Sequence, residues 1–385
     1  MRLAIPRFVR SRRRRSAPTP RAPLTSTLLA RYYLLHILAC AFPLASGLWL
    51  YGFRALQSVA VVILASAAGV FVWRRIGARG WAVHWPHTIW LSLLLAMMLP
   101  PHLLLGPIPP SPSTQTGWAI LLAAGLMLPM FIWATGGVGF SRVHPLLVSY
   151  LLLAALYHPP LTPHLVLHRA RAFVGDLASF NVLPPPDQSP QQPWIWQRQR
   201  PNHDALYIAS PATQRLSQYT LGWPGRRATI PMEAMLRDHM PPLENLVVGG
   251  HPGPTGASSA IAIIIGGLFL MYRGLIDFRI PLLIVLVAMA GFLIVPAALM
   301  PGAHLDWASG LTFASYELMA SPLLLMAFFI ATNRGLCPVG PRAAVVFAAV
   351  VGALCVVCQL YVSAAYGPYI ALTLAGLIMP GNNRL

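Results

Sequence analysis

The sequence contains no lysine. All 27 basic residues are arginine, so the formal charge of +18 reflects a compositional bias as much as a function. Acids are scarcer still, with nine Asp and Glu in 385 residues. Charged residues reach only 9%, against about 25% in an ordinary soluble domain. Together with 56% hydrophobic residues and a mean hydropathy of +0.63, this excludes a soluble globule and indicates a chain built for the bilayer. The shortage of acids leaves few candidates for a Na⁺ site made of carboxylates. An ion held here must rely on backbone carbonyls, hydroxyls or water. Four cysteines give no disulfide framework. Cys355 and Cys358 form a C-x-x-C on one helix face, but two ligands do not make a metal site, and both read as small buried hydrophobes. No nucleophile, base and oxyanion donors stand together, so no catalytic residue is assigned and a stand-alone enzyme is not indicated.

What is present is a series of apolar runs, at roughly 32–52, 55–73, 87–105, 118–135, 144–157, 258–272, 280–300, 311–332, 343–362 and 364–380. They predict an all-α membrane protein of about ten transmembrane helices. Several runs fall short of the ~20 residues a straight helix needs to cross the hydrocarbon core. Those beginning at His87, His144 and Ser258 are bounded by Pro or Gly clusters, which reads either as broken helices at a binding site or as simple tilt.

Four parts follow. Residues 1–28 form a basic tail, 29–157 a first membrane half, 158–257 a polar loop, and 258–385 a second membrane half. Nine arginines fall within residues 1–31, including Arg12 to Arg15. They read as a cytoplasmic tail obeying the positive-inside rule rather than as a nucleic-acid or anionic-lipid patch. With the tail in the cytoplasm and ten crossings, Arg74, Arg75, Arg79, Arg142, Arg273, Arg279, Arg334 and Arg342 fall in cytoplasmic loops, and the C-terminus is cytoplasmic as well. Residues 158–257 then form one large extra-cytoplasmic loop. Its middle, Val182 to Pro201, is rich in Pro and Gln and reads as a flexible insertion. Its flanks, 161–174 and 230–248, are apolar enough to pack as short helices.

Few residues inside the runs can carry chemistry. Glu317 is the only acid within a predicted span, and a charge near the membrane centre costs at least ~2.5–3.5 kcal/mol, which invites a proton or cation role. Its place about six residues from the end of its run also allows it to reach interfacial water. His36 and His102 read as hydrogen-bonded or interfacial rather than as ligands. His164 and His168 stand four apart and would share a helix face, but two histidines are weak evidence for metal. The stretch GGHPGPTGASSA at 249–260 holds Gly253, Gly256 and Ser258. Its glycines permit an unusual backbone path, and Ser258 and Ser259 then open a helix whose amides suit a phosphate or another anion. A plain loop-to-helix junction needs the same residues. A weak internal match, FIWATGGVG at 131–139 and FFIATNRGL at 328–336, contains Gly136, Gly137, Thr332 and Asn333 and suggests two five-helix repeats.

Four longer stretches carry a resemblance. They are HTIWLSLLLAMMLPP (87–101), GGVGFSRVHPLLVSYLLLAALYHPP (136–160), MPPLENLVVGGHPGPTGASSAIAIIIGGLFLMYRGLIDFRIP (240–281) and LLLMAFFIATNRG (323–335). In this order they resemble the D subunit of Rnf electron-transport complexes and the B subunit of the Na⁺-pumping NADH:quinone oxidoreductase. The resemblance runs from about residue 30 to 380. It implies a multi-subunit complex in a bacterial inner (plasma) membrane that couples electron transfer to Na⁺ or H⁺ movement, with an ion path through Glu317, Thr332, Asn333, Gly136 and Gly137. It also implies FMN joined through its phosphate to a threonine in the outer loop. The corresponding place here is GRRATIP at 225–231, so Thr229 is the implied acceptor, beside Ala228, with Arg226 and Arg227 near the phosphate. Gly253, Gly256 and Ser258 complete the implied flavin site. The sequence departs from the family where His87 and Asn333 replace aspartates and Ala257 replaces a glutamate. Each change removes an acid, so the alternative is a divergent member acting as a flavin-free scaffold or a small-solute channel. The partners implied are sister subunits and lipid, not nucleic acid.

Overall fold

The computed structural model describes residues 26–76, 83–100, 103, 114–135, 143–157, 165–168, 197–198, 206–209, 216, 236, 240, 243–249, 253–299, 307–338 and 340–379. Five helices lie before the polar loop: α1 (Ser26–Tyr51), α2 (Phe53–Ile76), α3 (Trp85–Met98), α4 (Thr114–Ala134) and α5 (Pro145–Leu156). A short helix, α6 (Leu243–Val248), precedes the second series: α7 (Ala260–Tyr272), α8 (Arg279–Leu299), α9 (Trp307–Ala320), α10 (Leu323–Ile330), α11 (Pro341–Tyr361) and α12 (Gly367–Ile378). Proline stands in the first turn of α3, α5, α11 and α12, where its missing N–H costs no hydrogen bond and its fixed φ suits the helix.

Each of the ten apolar runs lies on a helix, but the helices differ in reach. α1, α2, α4 and α11 are long and apolar enough to cross a bilayer, and α9 with α10 passes the same test only as a pair bent by 63°, a broken span or a re-entrant loop. α3, α5, α7, α8 and α12 are shorter apolar helices. The bend follows from Ser321 and Pro322. Proline cannot donate to the preceding turn, and α10 restarts with its last five residues, Met326–Ile330, wound as a π-helix. Exposed faces are as apolar as buried ones, as at Leu64, Phe71, Leu286, Ile294 and Leu377, the pattern of helices solvated by lipid.

Among the described residues, one feature departs from the all-helical expectation. Leu165–His168, Gln197–Arg198 and Leu206–Ala209 form a small antiparallel sheet in the order β1-β3-β2, with Val166 opposite Ile208. The flank at 161–174 is therefore not a helix where it is described. Its Leu-Val-Leu stretch finds strand partners in Tyr207 and Ile208, and β-branched and aromatic residues favour that setting. His168 lies in β1, so no helical turn relates it to His164, which is outside the described residues. The other flank does contain a helix, α6.

Packing follows a simple order. α2 lies most extensively on α4, and α8 on α11. Small residues bring the first pair close: Gly69 faces the Leu126 backbone, and Gly125 faces Ala65. α1 packs on α7 and α5 on α12, so each half touches the other along two seams. The second seam stacks Tyr150 edge-on to Tyr369 at 4.9 Å. Among the described residues, Trp90, Phe292, Phe313, Phe329, Phe347 and Tyr369 are the largest side chains buried completely.

Candidate functional site

The loop ahead of α7 closes the open end of α3. A helix leaves its last four carbonyls without intrahelical donors, and Pro100 removes one nearby N–H. The Gly256 amide donates to Met97 O at 2.8 Å, and the Thr255 amide and hydroxyl both donate to Leu99 O at 3.2 Å. Close approach requires glycine at 256, since a Cβ there would sit 2.5 Å from Met97 Cβ. Ser259, rather than Ser258, is the N-cap of α7, accepting from Ala262 N at 3.4 Å. Ser258 is wholly buried. Its hydroxyl donates to Thr255 O at 3.4 Å and bonds the Tyr51 hydroxyl, which also reaches the Gly253 backbone. Two amides in the stretch read from sequence as an anion cradle are thus given to α3.

A second buried polar group joins the start of α5 to the turn after α10. Asn333 Nδ2 donates to His144 Nε2 at 2.7 Å, and both residues are 4% exposed. The Gly335 amide donates to Asn333 Oδ1 at 3.2 Å, which orients the side-chain amide with its N–H₂ toward the imidazole. The His144 proton then sits on Nδ1, an atom with no partner among the described residues. Thr332 turns back on its own helix, its hydroxyl donating to Phe328 O at 2.6 Å. Nearby, Tyr33 packs against His87 at 4.8 Å and Trp90 at 5.3 Å, His36 Nδ1 meets Tyr32 O at 2.8 Å, and the Arg334 guanidinium lies over the Tyr32 ring at 4.9 Å.

The third group lies one turn before the bend. Gln359 of α11 donates its two N–H bonds to Glu317, one to the carboxylate Oε2 and one to the backbone O, both at 2.6 Å. That carbonyl belongs to the last turn of α9, so Gln359 caps the broken helix while it holds the acid. Glu317 and Gln359 are each 1% exposed, so Glu317 is enclosed by protein and does not reach interfacial water. Glu317 Oε1 and Gln359 Oε1 have no partner among the described residues.

Glu317, Thr332 and Asn333 therefore lie on one continuous element, α9–α10 and the turn after it, but make separate contacts. Gly136, Gly137, Arg226, Arg227, Ala228 and Thr229 fall outside the described residues. Gly253, Gly256 and Ser258 belong to the α3 junction, where the Gly256 amide is engaged by Met97 O and the Ser258 side chain is buried. Cys355 and Cys358 are buried and unbonded, and no cluster of three or more metal-ligating side chains occurs among the described residues. Sequence reasoning passed over Gln359 and His144. The signal for Gln359 was available, because it is the one amide side chain in the apolar run 343–362.

The family model described as NQR2, RnfD, RnfE matches residues 24–384. The D subunit of the ion-translocating oxidoreductase complex of Halorhodospira halophila is 26% identical over 339 residues, 87% of this chain and 82% of that protein. The D subunit of the Na(+)-translocating ferredoxin:NAD(+) oxidoreductase complex of Acetobacterium woodii is 32% identical over 124 residues, 32% of this chain and 34% of the relative. Its counterpart in the proton-translocating ferredoxin:NAD(+) oxidoreductase complex of Clostridium ljungdahlii is 30% identical over 115 residues, 28% of this chain and 30% of the relative. The last two matches span about a third of those relatives' length.

Proposed function

Because the chain belongs to the NQR2, RnfD, RnfE family, we propose that it is the D-type membrane subunit of an ion-translocating electron-transport complex in the bacterial plasma membrane. The observation that carries this reading is the family match across nearly the whole chain, including both helical halves and the loop between them. Sister subunits are its partners, and electron transfer among them supplies the driving force for the ion.

We further propose ten crossings, arranged as two five-helix repeats with both termini in the cytoplasm. Packing supports the repeats. α2 meets α3 and α4 in the first half as α8 meets α9 and α11 in the second, while α1 meets α7 and α5 meets α12 as equivalent members of a pair. An odd number of crossings inverts the second repeat relative to the first. In this register α4 corresponds to α11, so the FIWATGGVG and FFIATNRGL stretches, which end α4 and α10, are not equivalent positions.

The flavin part of the reading rests on Ala228 and Thr229 of the acceptor pattern, with Gly253, Gly256 and Ser258 as the further residues that the resemblance implies. FMN attached at Thr229 would supply a one- or two-electron relay, with Arg226 and Arg227 beside its phosphate. A flavin-free member, acting as scaffold or solute channel, is favoured by one observation: Asn333 forms a neutral bond to His144 where the resemblance places an aspartate.

Tagged chain purified from its native membrane separates these readings. Sister subunits are expected to co-purify, and a chain recovered alone would overturn the assignment. Denatured protein is expected to fluoresce in a gel, with the signal lost in Thr229→Ala. Fluorescence surviving that change removes Thr229. For the channel, solute flux through proteoliposomes of the lone chain is the measure.

A further inference from the structure

The polar group at Glu317 and Gln359 has an unbalanced set of hydrogen-bonding atoms. Gln359 has two N–H bonds, and both are used. What remains is one carboxylate oxygen and one amide oxygen, both buried, both acceptors, and neither with a donor among the described residues. Among the described residues no positive side chain is bonded to the acid. Its Oε2 is held by Gln359 and its Oε1 by nothing described.

The ionisable groups on the elements packed around it do not supply a counter-charge. Glu244 on α6 is exposed and is itself an acid. α10 has no ionisable residue, and Arg279 and Arg342 stand at the first turns of α8 and α11, far along those helices from the contact. Cys355, Cys358 and Tyr361 on α11, Tyr316 on α9 itself and Tyr369 on α12 are side chains that cannot carry a positive charge. An unpaired carboxylate enclosed in this way would be left uncompensated, which strongly disfavours the charged form.

One added hydrogen removes the uncompensated charge. Placed on Glu317 Oε1, it turns an acceptor into a donor, leaves the acid neutral, and keeps Oε2 as acceptor for Gln359. We propose that Glu317 and Gln359 form a one-proton site, in which Glu317 is a neutral carboxylic acid bound by the Gln359 amide at the break between α9 and α10. Gln359 is the positioning residue. Its backbone is pinned by Gly367, where a Cβ would sit 2.6 Å from Gln359 Cα. The proposal deepens the proposed ion path and rests on it for its role in transport, since a proton held at a helix break is one that a change in the bend can release.

The chain has three glutamates, Glu233, Glu244 and Glu317, so ¹³C-glutamate labelling gives a countable readout. The labelled full chain is placed in lipid nanodiscs, with any sister subunits added back unlabelled, and its side-chain carboxyl resonances are followed from acid to neutral pH. The expected result is one carboxyl that keeps its protonated shift at neutral pH, is absent in Glu317→Gln, moves in Gln359→Leu, and is unchanged by added NaCl. Glu317 at the carboxylate shift at neutral pH would overturn the proposal, as would a Glu317 signal displaced by Na⁺, which marks a cation site instead. If Glu317→Gln fails to fold, the wild-type spectra with and without the Gln359→Leu shift still decide. The signal belongs to this chain, so its outcome is separate from co-purification of sister subunits.

Discussion

Asn333 and His144 lie 189 residues apart in the chain and are joined side chain to side chain at 2.7 Å. The bond ties the turn after the bent α9–α10 element to the N-cap residue of α5, and so one half of the molecule to the other. Its donor and acceptor are fixed by the Gly335 amide, which claims the Asn333 oxygen. Asn333→Leu leaves a buried imidazole nitrogen without its donor. We expect a loss of about 1–3 kcal/mol, read as a lower thermal midpoint in detergent. The double variant Asn333→Leu with His144→Leu is expected to recover part of that loss, because the imidazole nitrogen is no longer left unpaired and only the Gly335 amide lacks its Asn333 acceptor.

Gly256→Ala is expected to disturb the α3 junction. The new Cβ meets Met97 Cβ, which cannot swing away as a side-chain tip would, so the backbone must shift and lengthen the Gly256–Met97 hydrogen bond. Overpacking of this kind costs about 1–3 kcal/mol, again measured as thermal stability.

Gln359→Leu and Glu317→Gln are expected to differ in stability. The first removes both donors and leaves the α9 carbonyl and the acid unbonded, at about 1–3 kcal/mol for each unsatisfied group. The second keeps a neutral side chain of the same shape and is expected within about 1 kcal/mol of wild type if the acid is already neutral. Equal losses for the two would count against a neutral Glu317.

Side-specific labelling checks the proposed orientation. The described cysteines Cys40, Cys355 and Cys358 are buried and Cys337 half-buried, so a cysteine-free background is a conservative starting point. A single cysteine at Gly340, in the turn before α11, is expected to react only with a reagent admitted to the cytoplasm. One at Gly52, between α1 and α2, is expected to react from outside. Reversal of both would invert the topology.

The helices were legible because apolar runs bounded by Pro and Gly leave little else to form in lipid. What the runs could not tell was length in space. The stretch 311–332 reads as one span, yet Ser321 and Pro322 divide it, and only tertiary contacts fix the 63° angle. Glu317 stood out by charge, but its partner lies on another helix 42 residues later, and an amide among aliphatics announces no direction. The Gly253–Ser258 stretch shows the reverse case. Its glycines signal a tight path correctly, while the use of that path, closing α3, depends on a helix end 156 residues earlier. His168 lies in a strand, where a spacing of four has no helical meaning, while His164 is outside the described residues.

The dependence of α3 on Thr255 and Gly256 has a consequence for biogenesis. A ribosome finishes α3 long before it makes the residues that close it, and during that interval the helix end must be sheltered by water, a chaperone or the insertion machinery. The first five helices are therefore no self-sufficient module. A fragment stopped after residue 157 is expected to reach the membrane and be cleared by quality control, whereas the two halves made as separate polypeptides in one cell can still find each other through that end.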